Sequence, residues 1–291
     1  MNSTRRGWPM LAVVSAAAAL LATAIFGQGS SIFLLDLPGD RVGVRYSHGS
    51  LDRAVQLQDN FDALIEDFRG WTRAKVGLVI LLLNRDEWKE SGFTNPYGVA
   101  EPAGGRGIAM PAWGDDGTVQ IWRQLLGSRL PMLPDQPFRG TPEQEASLAV
   151  ADLNATVDGA RILLRAAGIS GDQPWVDGVL TLAVVLSNIQ GHHATRLSDV
   201  RMIYEDFART GGGPAAYPLD AAAAPPSLAA RLWFDSQFFS AANLLVGPGG
   251  KYPAKAIFKQ ARKNGGRVLA AELMAKCPEL GTWLKTSFKT N

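Results

Sequence analysis

Between Glu143 and Gln190 the chain carries polar side chains at spacings that could do chemistry. Asn154, Asp158, Arg161 and Arg165 recur every three or four residues and so share one face of a helix. Asp177 follows in the next apolar segment. Asp158 and Asp177 could form a carboxylate pair for acid and base work, but a neighbouring arginine would keep both ionised and unfit to donate a proton. The plain reading of Asp158 and Arg161 is an ordinary i,i+3 pair on a solvated face, worth a few tenths of a kcal/mol.

Other chemistries have less to stand on. The three histidines are His48, His192 and His193. Two adjacent histidines diverge on a helix and His48 falls in a turn, so they read as surface or helix-end residues. Cys277 is the single cysteine, which excludes an internal disulfide and predicts a buried thiol. No G-x-S-x-G nucleophile elbow occurs. Gly104-Gly105-Arg106-Gly107 sits in a hairpin rather than before a helix, so it is no phosphate cradle. Trp233, Phe234, Phe238 and Phe239 read as core.

The elements that must position these residues begin with the helix itself. Leu153, Val157, Ala160 and Leu164 form its apolar stripe, and Gly168 is a stop. Asp172 is a candidate N-cap and Pro174 a first-turn residue for a second helix, Trp175 to Ile189, apolar nearly all round. Upstream, Arg41–Tyr46 alternates as a strand, Ser50 caps a helix over Leu51–Arg69, and Val76–Leu83 is an apolar strand. A short helix over Asn84–Ser91 leads to two short strands, Tyr97–Ala100 and Gly107–Pro111. Gly117–Leu126 is a strand or a short helix. Downstream, Leu197–Phe207 is helical, Thr210–Pro226 is a Gly-, Ala- and Pro-rich linker, and Ser227 caps a helix over Leu228–Leu245. Helices over Pro253–Lys263 and Val268–Met274 precede a closing segment that contains Trp283. The fold class is therefore α+β: a mixed-sheet lobe with helices over 36–142, a central helix pair and following helix over 143–209, and a helical lobe over 227–291.

Composition bounds the rest. With 46% hydrophobic and 19% charged residues the 291-residue chain is globular, and a net charge of +2 gives no footing for nucleic acid. Residues 1–30 carry Arg5 and Arg6 before an uncharged run. Residues 8–26 approach the roughly 20 residues that span a bilayer, while Ala22-Thr23-Ala24 resembles a cleavage site. A cleaved signal peptide and a retained inner-membrane anchor both fit, and both put the remainder outside the cytoplasm, in the periplasm or secreted.

The order strand, helix, strand, Gly-Val-Ala…Ile-Ala-Met-Pro hairpin, long helix, then Pro174-Trp175-Val176-Asp177-Gly178-Val179-Leu180 resembles the gluzincin metallopeptidases, in particular the small bacterial peptidase MA-like domains. The resemblance spans about Asp40 to Met274 and implies a zincin-like architecture. It implies a cleft bordered by Val99 and Ala100 and by Trp175, with zinc held by H-E-x-x-H on the long helix. Aligned on Trp175, however, Val157 and Arg161 stand at the two histidines, Asp158 at the general base and Gly178 at the third ligand. A one-residue gap would instead match Asp177-Gly178 to the family's Glu-Gly. Valine and glycine side chains donate nothing to a metal and a guanidinium repels one, so no zinc or other cofactor is expected. In that setting Arg161 would occupy the metal cavity, balanced by Asp158 and by Asp177 on the facing helix. The resemblance thus implies a non-catalytic envelope domain that binds a peptide or protein partner in a retained cleft, by strand addition at its edge. The alternative is a hydrolase or peptidase with atypical residues.

Overall fold

Alternation of Val42, Val44 and Tyr46 with Gly43 and Arg45 buries one side of a strand, β2 (Val42–Tyr46), beneath a helix, α1 (Leu51–Thr72). The computed structural model describes residues 32–130, 140–213, 215–250 and 252–289. The apolar run after α1 becomes the central strand β3 (Leu78–Leu83), parallel to β2 on one side and to β5 (Gly107–Pro111) on the other. Two antiparallel edges complete a mixed five-stranded sheet in the order β1-β2-β3-β5-β4, with β1 at Leu35–Leu37 and β4 at Glu101–Pro102. In register, Val44, Ile80 and Ile108 align across the three inner strands, each at most 1% exposed, and face the helices. Leu81, Leu83 and Ala109 face the other way, onto Tyr97 and onto Trp88 of α2 (Arg85–Glu90).

The 116–125 segment is a helix, α3 (Asp116–Leu125), because Asp115 and Thr118 form a reciprocal capping box. The long helix α4 (Pro142–Ala166) starts from a second capping box, Thr141 with Gln144, and has Pro142 in its first turn. It lies so close to the sheet that a Cβ at Gly159 would stand 2.8 Å from the Phe61 ring and 3.4 Å from Ile108 Cδ1. Gly168 then turns the chain with φ +66°, the left-handed conformation that ends a helix.

The second helix of the pair is α5 (Pro174–His192), with Gln173 rather than Asp172 at its N-cap. Asp172 instead accepts a 2.8 Å hydrogen bond from the Ala270 amide, tying this turn to the C-terminal helices. A small parallel pair, β6 (Ser170–Gly171) with β7 (Arg267–Val268), reinforces the tie. The remaining helices are α6 (Leu197–Thr210), α7 (Leu228–Val246), α8 (Ala254–Lys263), α9 (Ala270–Lys276) and α10 (Glu279–Ser287). The 210–226 segment, expected as a linker, is built into the body: it holds a 3-10 turn at Leu219–Ala223, and Tyr217 packs on Trp233 and Phe234. One continuous apolar core runs from Val42 to Phe288. The architecture is mixed α+β, a sheet with helices first and mostly helices after.

Among the described residues no helix is long and apolar enough to cross a membrane. The signal-peptide or anchor reading of residues 1–30 lies outside the described residues.

Candidate functional site

The polar row of α4 meets a second helix. Asp158 is 3% exposed, and its Oδ1 accepts from Arg161 Nη1 at 3.0 Å and from Arg231 Nη2 at 2.5 Å. The other Arg161 nitrogen, Nη2, donates to Asp235 Oδ1, and Asp235 is 2% exposed. Arg231 and Asp235 lie four residues apart on α7, so two charges from each helix close a four-membered network whose carboxylates are buried and whose guanidiniums are half-buried. Burial opposes the Arg161 charge, but Asp235 and Asp158 outweigh it and hold the guanidinium above its ordinary value. Burial pushes the Asp235 carboxyl up while Arg161 and Arg231 pull it back. With a guanidinium donating to it, the ionised form is the one this geometry supports. Tyr204 of α6 stands beside them, stacked on Phe239 at 4.3 Å, and burial pushes its phenol well up.

The other expected site residues divide. Gly178 of α5 faces the same helix α7: a Cβ there would lie 2.3 Å from the Phe238 ring, one turn from Asp235. Val157 is 2% exposed and belongs to the core. Asp177 does not balance Arg161. It is exposed at the start of α5 and accepts from the Gly171 amide at 2.7 Å, because the charged face of α4 looks at α7. Val99, Ala100 and Trp175 are at most 1% exposed, and none of them borders the cavity described below. The edge strand is also closed to strand addition. Pro102 has no N–H to offer, the Ala100 carbonyl accepts from Asn95 Nδ2 at 2.7 Å, and the Glu101 carboxylate accepts from the Asn95 amide at 3.0 Å.

Zinc does not fit this donor set. Val157 and Gly178 supply no ligand atom, and the Asp158 carboxylate is already held by two guanidiniums that would repel a cation. Asp158 Oδ2 is buried without a partner, but it is one oxygen where zinc needs three donors. Among the described residues no group of three or more His, Cys, Asp or Glu side chains is gathered closely enough to hold a metal. His192 bonds Asp67 at 3.1 Å, His193 borders a cavity, and His48 is exposed in its turn. Cys277 is buried against Glu279 and the Leu244 carbonyl, and burial pushes its thiol up, which suits packing rather than nucleophilic attack.

A cavity of about 110 Å³ opens on the opposite side of α4, between α1, α4, the end of α5 and the start of α6. Its floor is apolar, with Phe61, Leu64, Leu153, Ile189, Val200 and Ile203. Polar groups ring it: Gln56 and Asn60 from α1, Asn188 and His193 from α5 and its end, and Arg196 and Asp199 where α6 begins. Asp152 also borders it but is neutralised by a bidentate pair with Arg53, at 2.7 and 3.2 Å. Burial, with Arg196 and His192, holds His193 below its ordinary value.

Neither half of this picture was complete in the sequence. Arg231 and Asp235 are the only charges in the 19-residue α7, and that isolation in an apolar helix was the available signal. The cavity draws on four separate segments, none with a motif. Comparison of the chain with protein-family profiles, curated proteins and solved structures found no match.

Proposed function

We propose that this chain is a non-catalytic binding domain on a gluzincin-like frame, held or released on the outer side of a cytoplasmic membrane. What carries the reading is the Arg161 guanidinium set between Asp158 and Asp235. A peptidase of this frame needs an open metal position with an activated water over the long helix. Here the equivalent face of α4 is joined to α7 by paired charges, and α5 is joined to the same helix by the close contact of Gly178 with Phe238. Such contacts stabilise a closed wall.

A binding role has an outlet elsewhere, in the cavity across α4. Largely preformed apolar pockets with a few convergent polar groups are the usual form of a small-ligand site. A peptide or another envelope protein remains the partner class for the outer surface, away from the closed β4 edge.

The test is hydrolysis of a broad peptide mixture by the purified full chain, with and without added zinc. No cleavage above background is expected in either condition. Cleavage that a chelator abolishes would overturn the reading.

A further inference from the structure

We propose that the cavity between α1, α4, α5 and α6 binds a free apolar amino acid, with its carboxylate on Arg196 and its ammonium on Asp199. This rests on the binding-domain reading above and gives it a ligand.

Three observations converge. The first is charge. Of the ionisable groups bordering the cavity, Asp152 is paired with Arg53, and His193 is held toward its neutral form. Arg196 and Asp199 remain, three residues apart at the start of α6. Neither makes an ion pair or side-chain hydrogen bond among the described residues, and they do not pair with each other. A cation and an anion one turn apart on the border of one cavity suit a zwitterion, whose two charges are also near neighbours. A simple carboxylate would meet Asp199, and a simple amine would meet Arg196, each at a cost from like charge.

The second is the floor. Phe61 and Leu64 are at most 2% exposed, and Leu153, Ile189, Val200 and Ile203 are at most 8%. They offer burial to an aliphatic side chain at roughly 25 cal/mol per Å² of apolar surface. Asn60 and Gln56 stand at the rim with amide groups that can orient the head.

The third is size. At roughly 30 Å³ of liquid volume per water, 110 Å³ is room for about four waters. That suits the four-carbon side chain of a leucine-class amino acid with its charged head at the open rim, and leaves a dipeptide largely outside.

The experiment is isothermal titration of the purified full chain with L-leucine. It is repeated with leucinamide (no carboxylate), 4-methylpentanoic acid (no ammonium), glycine (no side chain) and the dipeptide leucyl-leucine. L-Leucine is expected to bind one to one, and each truncated analogue about tenfold or more weaker, the usual cost of losing a charged hydrogen bond or the apolar contact. Arg196→Gln and Asp199→Asn, both at the mouth rather than in the core, should keep the fold by circular dichroism and lose leucine binding about tenfold. No heat with leucine at millimolar concentration would overturn the proposal. So would equal binding of 4-methylpentanoic acid, preference for the dipeptide, or unchanged binding in both variants. Failure here is distinct from failure of the non-catalytic reading, because chelator-sensitive peptide cleavage is measured separately and turns on the other face of α4.

Discussion

Arg161 reaches two carboxylates on different helices, so replacing it alters the energy of both. Arg161→Met should lower unfolding free energy by about 3 kcal/mol, the lower end for breaking a buried pair, because Arg231 still covers Asp158. Denaturant unfolding measures this, and a change below about 1 kcal/mol, the value of an exposed pair, would contradict the buried network. A second residue-scale test concerns Tyr97, 5% exposed, whose hydroxyl donates to the Trp113 carbonyl at 3.0 Å. Burial pushes its phenol from 10.0 to about 12. The folded state therefore holds this proton more tightly than the unfolded chain. The stability it contributes is complete below about pH 10 and is lost as pH rises toward 12, up to about 3 kcal/mol. Tyr97→Phe should lack that part of the alkaline loss, and identical slopes for the two proteins would exclude it. The Asp158–Arg161 spacing was legible because i,i+3 neighbours share a helix face. The partner of Arg161 was not, since spacing along one helix does not say which helix it faces, and Asp177 was expected where Asp235 stands.

The helices meet where glycine permits close approach. Gly178→Ala would place a methyl 2.3 Å from the Phe238 ring, itself enclosed by Phe234, Trp283 and Phe288. Overpacking of about 1–3 kcal/mol should exceed the roughly 1 kcal/mol that alanine gains in a helix, giving net loss of stability. Phe238→Leu in the same chain should restore part of it. A melting temperature raised by Gly178→Ala alone would show that α5 and α7 are not so closely packed. At this scale periodicity served well for long elements: α1, α4, α5 and α7 lie where their apolar stripes put them. Short elements escaped it. β1 has only three residues beside a Pro-Gly turn, and α3 has only ten, short enough to be read as a strand or a helix until its Asp115–Thr118 cap is counted. The edge strand was expected at Tyr97–Ala100, whereas β4 is Glu101–Pro102, so Val99 and Ala100, given a place on the cleft edge, fall in the buried turn before it.

At the scale of the whole molecule, α4 presents two different surfaces. One face carries Asp158 and Arg161 to α7 and closes the wall, and the other carries Leu153 and Thr156 to a cavity that remains open. The order of elements and the α+β class were legible because strands and helices alternate their apolar periods in the sequence. The cavity was not, because four helices build it together. The closed wall is tested most directly by zinc itself. Purified full chain is dialysed against zinc, its bound metal is counted by mass spectrometry, and its melting temperature is followed as zinc is added. A ligand that binds only the folded state raises stability as its concentration exceeds its dissociation constant. With Arg161 engaged by both carboxylates, bound zinc should stay well below one ion per chain and the melting temperature should not rise. One tightly held zinc per chain, with a melting temperature that climbs on its addition, would contradict the closed wall.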